Sequence, residues 1–392
     1  MRILRVIGTM NPTHGGPCQG IRNSIPALEK LGVHNEVVTL DDPSDPFLGS
    51  DPFTVHAIGP ASGPWGYGKR LIPWLSDRAA EFDVVIVHGL WQYYSYATEK
   101  ALRAIRRSIP AEKIPRWFVM PHGMLDPYFQ TAPDRRLKAI RNYVYWKLIE
   151  RKVVNNSDGL LFTCEAELLL ARKPFRPYHP KAELNVGYGI QAPPGFESHM
   201  ADAFLTLVPG VANRPFVLFL SRIHEKKGVD LLINAYAKLP SKDRPALVVA
   251  GPGMDSAYGK KLKDLTKTLG LQGDVHFPGM VKGDAKWGAF YTCDAFILPS
   301  HQENFGIAVV EAMACGKPVM ISNQVNIWRE IKDEQSGLVD DDTSEGAQRL
   351  LQQWISFTDP EKRAMGEHAR LAFKKLFAID PAAERLLRSI EP

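Results

Sequence analysis

Residues 216–232 read Phe216-Val-Leu-Phe-Leu-Ser-Arg222-Ile-His-Glu-Lys-Lys227-Gly228-Val-Asp-Leu-Leu. An unbroken apolar run ends at Ser221, and apolar residues return at helical spacing (Leu231, Leu232, Ala235) beyond Gly228. The run predicts a strand buried on both faces, the spacing predicts a helix, and the polar stretch between them is the connecting turn. Arg222 and Lys227 are thereby expected at the strand's carboxyl end, beside a helix N-terminus whose free N–H groups attract anions. A phosphate site follows from that placement. The competing reading is a loop that is basic only because it is solvated.

The same unit recurs outward from this stretch. Apolar runs at 3–7, 36–40, 84–87, 117–120 and 160–163 precede it, and runs at 247–250, 275–277, 295–298 and 318–321 follow, each separated by a segment long enough for a helix. Apolar strands alternating with helices predict parallel sheets covered on both faces, a doubly wound α/β architecture. Pro193, Pro194, Gly195, Pro209 and Gly210 interrupt the pattern just before 216 and mark the interdomain linker. The expected division is 1–205, an N-terminal acceptor-side Rossmann-like domain; 206–375, a C-terminal nucleotide-sugar-binding one; and 376–392, a last helix packing back on the first. In such sheets ligands bind beyond the carboxyl ends of the strands, so the two sheets are expected to face one cleft.

Composition narrows the class. The chain has 392 residues, 45% hydrophobic and 23% charged, which excludes a disordered or collagen-like protein. A formal charge of +5 is too small over this length to indicate a nucleic-acid coat, and no nucleic-acid partner is expected. Cys18, Cys164, Cys293 and Cys315 form neither a zinc knuckle nor a disulfide framework, which fits a reducing cytoplasm. The N-terminal run is broken by Arg5 and reads as a first strand, not a signal peptide, and no apolar stretch is long enough to span a bilayer.

A second informative segment runs from Ala295 to Pro318. Its strand ends at Pro299, a polar loop carries Glu303, Gly306 allows close backbone approach to a ligand, and an apolar helix carries Glu311. Ionised carboxylates only accept hydrogen bonds, which suits the vicinal hydroxyls of a ribose or hexose. Glu311 could instead be a structural carboxylate paired with a buried cation, since unpaired buried charge is costly.

Together, Arg222 with Lys227-Gly228 and Glu303-x-Phe305-Gly306-x4-Glu311 resemble the retaining family-four (group 1) glycosyltransferases of GT-B fold. His14-Gly15-Gly16-Pro17 and Pro121-His122-Gly123-Met124-Leu125-Asp126 extend the resemblance into the first half. It implies a nucleotide-diphosphate-sugar donor, UDP- or GDP-linked, held mainly by the C-terminal domain, and no further cofactor. The residues matching Arg222 and Lys227 bind the diphosphate. The one matching Glu311 contacts the ribose, and the one matching Glu303, with backbone at Asn304, Phe305, Gly306 and Ile307, addresses the sugar. The residue matching His122 lies near the transferred sugar, and the Gly15-Gly16 loop closes over the phosphates. One departure is Ser322-Asn323-Gln324, where many relatives carry a glycine pair; it bears on acceptor or sugar selectivity.

The chemistry agrees with the resemblance. Breaking the anomeric C–O bond leaves negative charge on the diphosphate, which Arg222 and Lys227 can stabilise in place of a metal. The Asp41-Asp42 and Asp340-Asp341-Asp342 clusters read as turn residues, not metal ligands. His88 and Trp91 follow a strand and are candidates for the acceptor side, with core packing of Trp91 the equal alternative. The segment 135–152 is basic, aromatic and helical in spacing. Peripheral contact with the inner membrane surface, or with a lipid-linked saccharide acceptor, would account for it; so would a solvated basic face. The leading expectation is transfer of a hexose-like sugar to a glycan or lipid-linked saccharide in polysaccharide biosynthesis. A nucleotide-sugar epimerase or a non-catalytic sugar-nucleotide binder of the same fold are the alternatives.

Overall fold

The computed structural model describes residues 1–131 and 135–391. They divide into two compact units, residues 1–189 with 379–392, and residues 190–378. The first unit contains one seven-stranded parallel sheet of β1 (Arg2–Val6), β2 (His34–Thr39), β3 (Thr54–Ala57), β4 (Val84–His88), β5 (Arg116–Met120), β6 (Gly159–Phe162) and β7 (Glu183–Asn185). Its order is β3-β2-β1-β4-β5-β6-β7. The second unit contains a six-stranded parallel sheet of β8 (Phe216–Leu220), β9 (Ala246–Ala250), β10 (Val275–Gly279), β11 (Ala295–Leu298), β12 (Val319–Ser322) and β13 (Gly337–Asp340), in the order β10-β9-β8-β11-β12-β13. Both are doubly wound Rossmann-like sheets, the pair of domains that defines the GT-B class.

The central strands are apolar throughout because helices cover both faces. All five residues of β4 and all five of β9 are buried. In each sheet the winding reverses once, between β1 and β4 in the first and between β8 and β11 in the second. At such a reversal the two following loops diverge to opposite faces and leave a crevice beyond the strand ends.

The sequence places the end of the first domain at 205, whereas the structure puts residues 190–207 with the second unit. The reason is local packing. The helix Ser198–Leu207 lies so close against the helix Gly283–Thr292 that a Cβ at Gly288 would stand 1.9 Å from the carbonyl oxygen of Met200. The final helix, Ile379–Ile390, is in the first unit, where Ala383, Leu386 and Ile390 share a core cluster with Ile3, Leu28 and Phe118.

Candidate active site

In the second unit the loops after β8 and β11 meet at the winding reversal. Arg222 is exposed there, and among the described residues it makes no ion pair. Lys227 closes a short 3-10 turn, Glu225–Lys227, and is only 6% exposed. Its ammonium is ion-paired with the Glu303 carboxylate from the loop after β11. The two loops are tied by backbone as well: the His301 N–H donates to the Lys226 carbonyl at 2.8 Å, and the Ser300 hydroxyl to the same oxygen at 3.0 Å.

Glycines make this approach possible. Gly228, at φ +66°, begins the helix Val229–Ala237, and a Cβ on it would stand 2.2 Å from the Pro299 carbonyl oxygen. Gly251, after β9, has φ +141°, and a Cβ there would stand 1.8 Å from the Ser221 carbonyl oxygen. The Gly251-Pro-Gly253 turn thus serves close packing of the loops behind Arg222.

Glu303 is held from both sides. Its N–H donates to the Gln324 carbonyl at 2.9 Å and its carbonyl accepts from Asn326 N–H at 2.9 Å. Its second carboxylate oxygen receives the Asn304 N–H at 3.1 Å. The Ser322–Asn326 segment, where the sequence departs from the glycine-pair pattern, is therefore the brace of the Glu303 loop. Gly306, at φ +79°, caps the helix Ile307–Ala314, and Phe305 is buried edge-on to Phe377. Glu311 sits on that helix, paired at 2.6 Å with Lys286 of the helix Gly283–Thr292, so its partner is a lysine. Burial nevertheless pushes the Glu311 carboxyl up, against the opposing pull of Lys286.

In the first unit the winding reversal holds a cavity of about 370 Å³, lined among others by Gly8, Thr9, His14, His88, Gln92 and Met124. The Gly15-Gly16 turn (Gly15 φ +84°) opens the helix Gly16–Lys30. His122 follows β5 at φ +52°, and its Nε2 lies 3.1 Å from Nδ1 of His88. Burial, reinforced by the Arg5 guanidinium, pushes His122 down to about 4, and burial, reinforced by His122 and Arg5, holds His88 well below the ordinary imidazole value. Both imidazoles are neutral at physiological pH. The Pro121–Asp126 turn is fixed by Glu167, whose carboxylate accepts the Gly123 N–H at 2.5 Å and the Thr163 hydroxyl at 2.6 Å.

Trp91 takes the packing alternative. Its ring is engaged by Phe175, Tyr145 and Trp146, at centroid distances of 5.3, 6.0 and 6.5 Å. The Trp91 backbone N–H donates at 2.6 Å to Glu150, a wholly buried carboxyl that also accepts the Ser95 hydroxyl. The acidic clusters are likewise engaged: Asp41 accepts from Thr9 and Met10, Asp341 from Asn323, and Asp342 pairs with His301 at 2.9 Å. Among the described residues no group of three or more His, Cys, Asp or Glu is placed to hold a metal ion.

Residues 209–372 match the sequence profile of the glycosyl transferases group 1, and residues 15–181 that of the glycosyl transferase 4-like domain. The chain belongs to the group 1 glycosyltransferases. An uncharacterized glycosyltransferase of Methanocaldococcus jannaschii is 35% identical over 147 residues, 36% of this chain and 37% of that protein. The D-inositol 3-phosphate glycosyltransferase of Corynebacterium kroppenstedtii is 26% identical over 231 residues, 57% of this chain and 51% of that protein. The matched stretches thus span about half or less of these relatives. Among solved structures, Anabaena HepE in complex with UDP superposes with a TM-score of 0.74 at 19% identity, covering 100% of this chain and 99% of that one, a likeness of fold.

Within this group 1 chain, sequence reasoning passed over Arg5, Glu150 and Glu167. Arg5 showed only as a charge interrupting the first apolar run, which was its one signal. It is 1% exposed on β1, and burial lowers its guanidinium to about 9. Glu150 and Glu167 lie in helical segments that read as ordinary amphipathic stretches.

Glu150 gives a stability prediction. Burial raises its carboxyl to about 7, while the unfolded chain titrates near the ordinary value of 4.5. Between those values the folded state retains a proton that the unfolded state has lost, so the contribution of Glu150 to stability is fully present below the unfolded value and declines as pH rises to about 7. Glu150→Gln removes that penalty while keeping an acceptor for Trp91 and Ser95. Thermal unfolding should show the variant more stable than the parent by on the order of 2 kcal/mol at about pH 8, and nearly equal at about pH 5. An advantage independent of pH would contradict the assignment.

Proposed function

We propose that this chain is a retaining, metal-independent hexosyltransferase moving a sugar from a nucleotide-diphosphate donor to a glycan or lipid-linked saccharide in polysaccharide assembly. The observation that supports it most is the pairing of Lys227 with Glu303 at the winding reversal of the second sheet, on the same turn as the exposed Arg222. Two cations and a carboxylate there match the two halves of a sugar diphosphate. HepE, of the same fold, has been solved with UDP and with UDP-glucose, which favours a UDP-linked donor over a GDP-linked one.

In this reading the diphosphate lies against Arg222 and against the Lys227 N–H groups not spent on Glu303. As the anomeric C–O bond breaks, charge grows on the leaving phosphate oxygen. Cations fixed in place beforehand stabilise it without reorganising. Glu303 and the N–H groups at Asn304–Ile307 orient the sugar hydroxyls, and Glu311 accepts from the ribose hydroxyls. The acceptor hydroxyl attacks from the face that the diphosphate leaves, its proton passing to the departing phosphate, so the anomeric configuration is retained. His122, neutral and hydrogen-bonded to His88, orients the sugar and does not act as the base. The cavity at the first sheet's reversal, with His88, is assigned to the acceptor side. Cys18, Cys164 and Cys293 are buried thiols without disulfides, which suits action in the cytoplasm.

The test is incubation with a panel of nucleotide sugars and a broad acceptor extract, in excess chelator. Acceptor-dependent release of nucleoside diphosphate with the α- or β-configuration of the donor kept in the product is the expected result. An isomerised donor would replace this reading with epimerisation, and binding without turnover with a non-catalytic role.

A further inference from the structure

We propose that the outer face of the segment 136–152 seats the N-terminal unit on the surface of a bilayer rich in anionic phospholipid. The segment is a continuous helix, Arg136–Tyr145, a π-type turn, Trp146–Glu150, and a further helix, Arg151–Asn156. On its outer side stand Leu137, Ile140, Tyr143, Val144 and Leu148, exposed to 84%, 63%, 49%, 51% and 66%. Few large apolar side chains of the described chain are so exposed, and these five fall within a span of 12 residues.

The helix cannot turn this face inward. Asn142, Trp146, Glu150 and Val153 are buried on the other side, with Trp146 stacked on Phe175 at 4.8 Å and Glu150 bound to Trp91 and Ser95. Rolling the helix would expose an indole and a buried carboxyl in order to hide the aliphatic stripe. The stripe is therefore held outward by the core beneath it.

Charge decides the occupant. Arg135, Arg136, Lys138, Arg141, Lys147, Arg151 and Lys152 accompany the stripe, and the sole acid between 135 and 152 is the buried Glu150. No ion pair among the described residues holds any of these cations. A second copy presenting the same face would bring like charges together, and a nucleic acid would leave four aliphatic side chains unused. An anionic membrane surface uses both: cations at the headgroups, aliphatic side chains at the acyl boundary, and Tyr143 between. No described helix is long and apolar enough to cross a membrane, so the contact would be peripheral.

Flotation of the full chain with phosphatidylcholine vesicles containing about 30% phosphatidylglycerol tests this, with pure phosphatidylcholine as control. The protein should float with the anionic vesicles only, and 0.5 M salt, at roughly a 4 Å screening length, should release it. Ile140→Ser with Leu148→Ser, and separately Arg136→Glu with Arg141→Glu, should each cut the bound fraction on the order of tenfold. Unchanged melting temperature and nucleotide affinity in both variants would show that the loss is not unfolding and is separate from the donor site. Absence of flotation with anionic vesicles, or flotation indifferent to both variants, overturns the proposal. So does a dimer in light scattering that Ile140→Ser with Leu148→Ser dissociates, which would give the face to a second copy.

Discussion

Arg222→Ala lowers turnover on the order of 100-fold or more while leaving the melting temperature unchanged, the scale expected for loss of one fixed charge acting on the leaving group. Arg222 is exposed and makes no ion pair among the described residues, so little in the fold depends on it. Lys227→Ala lowers turnover by a similar factor and in addition lowers stability, because it strips the partner from Glu303 in a part-buried setting. Lys227→Arg should restore the pairing more than the turnover, since a planar guanidinium replaces a compact, nearly buried ammonium paired with Glu303. Steady-state kinetics beside thermal unfolding of the three variants separates these effects. Near-parental turnover in both alanine variants would remove the diphosphate from this turn.

The second large effect concerns binding rather than chemistry. Glu311→Ala weakens nucleoside diphosphate binding on the order of tenfold or more, the loss of a charged acceptor to ribose hydroxyls. The ion pair with Lys286 complicates the structural reading, because the same substitution leaves that lysine without its partner. Lys286 is part-exposed and lies over the Trp287 ring at 4.5 Å, so it keeps a favourable setting and the helix should stay folded. Lys286→Met supplies the control. If Glu311 only balances Lys286, the two variants lose affinity equally; if it accepts from the ribose, Glu311→Ala loses far more. Calorimetric titration with UDP distinguishes them.

The sheet interiors were legible because strands buried on both faces are apolar whatever surrounds them. The strands that escaped the apolar-run reading are β3, β7 and β13, each at the edge of its sheet. Thr54–Ala57, Glu183–Asn185 and Gly337–Asp340 are short and only half buried, so their residues mix polar and apolar types and leave no run. The domain boundary moved for a related reason. Proline and glycine at 193–195 mark a real break in regular structure, but nothing local shows that the helix Ser198–Leu207 belongs with Gly288 far along the chain.

At the candidate site, Arg222, Lys227, Glu303 and Gly306 were readable from strand ends and turn chemistry alone. The pairing of Lys227 with Glu303 was not, because it depends on β8 and β11 lying side by side although residues 221–294 separate them in sequence. The same holds for Arg5 under His88 and His122: three residues from three strands or strand ends, brought together by the order β1-β4-β5. Topology made these contacts, and a single sequence carries no direct record of it. The packing of Trp91 against Tyr145, Trp146 and Phe175 was not legible either, because those neighbours come from elsewhere in the chain.

The most direct measurement compares UDP with UMP, in the parent protein and in Arg222→Ala, by calorimetric titration, with GDP and GMP run beside them. If the turn after β8 holds the second phosphate, the parent binds the diphosphate more tightly than the monophosphate on the order of tenfold, and the variant binds the two alike. A diphosphate preference that survives Arg222→Ala undiminished would place the pyrophosphate elsewhere in the protein.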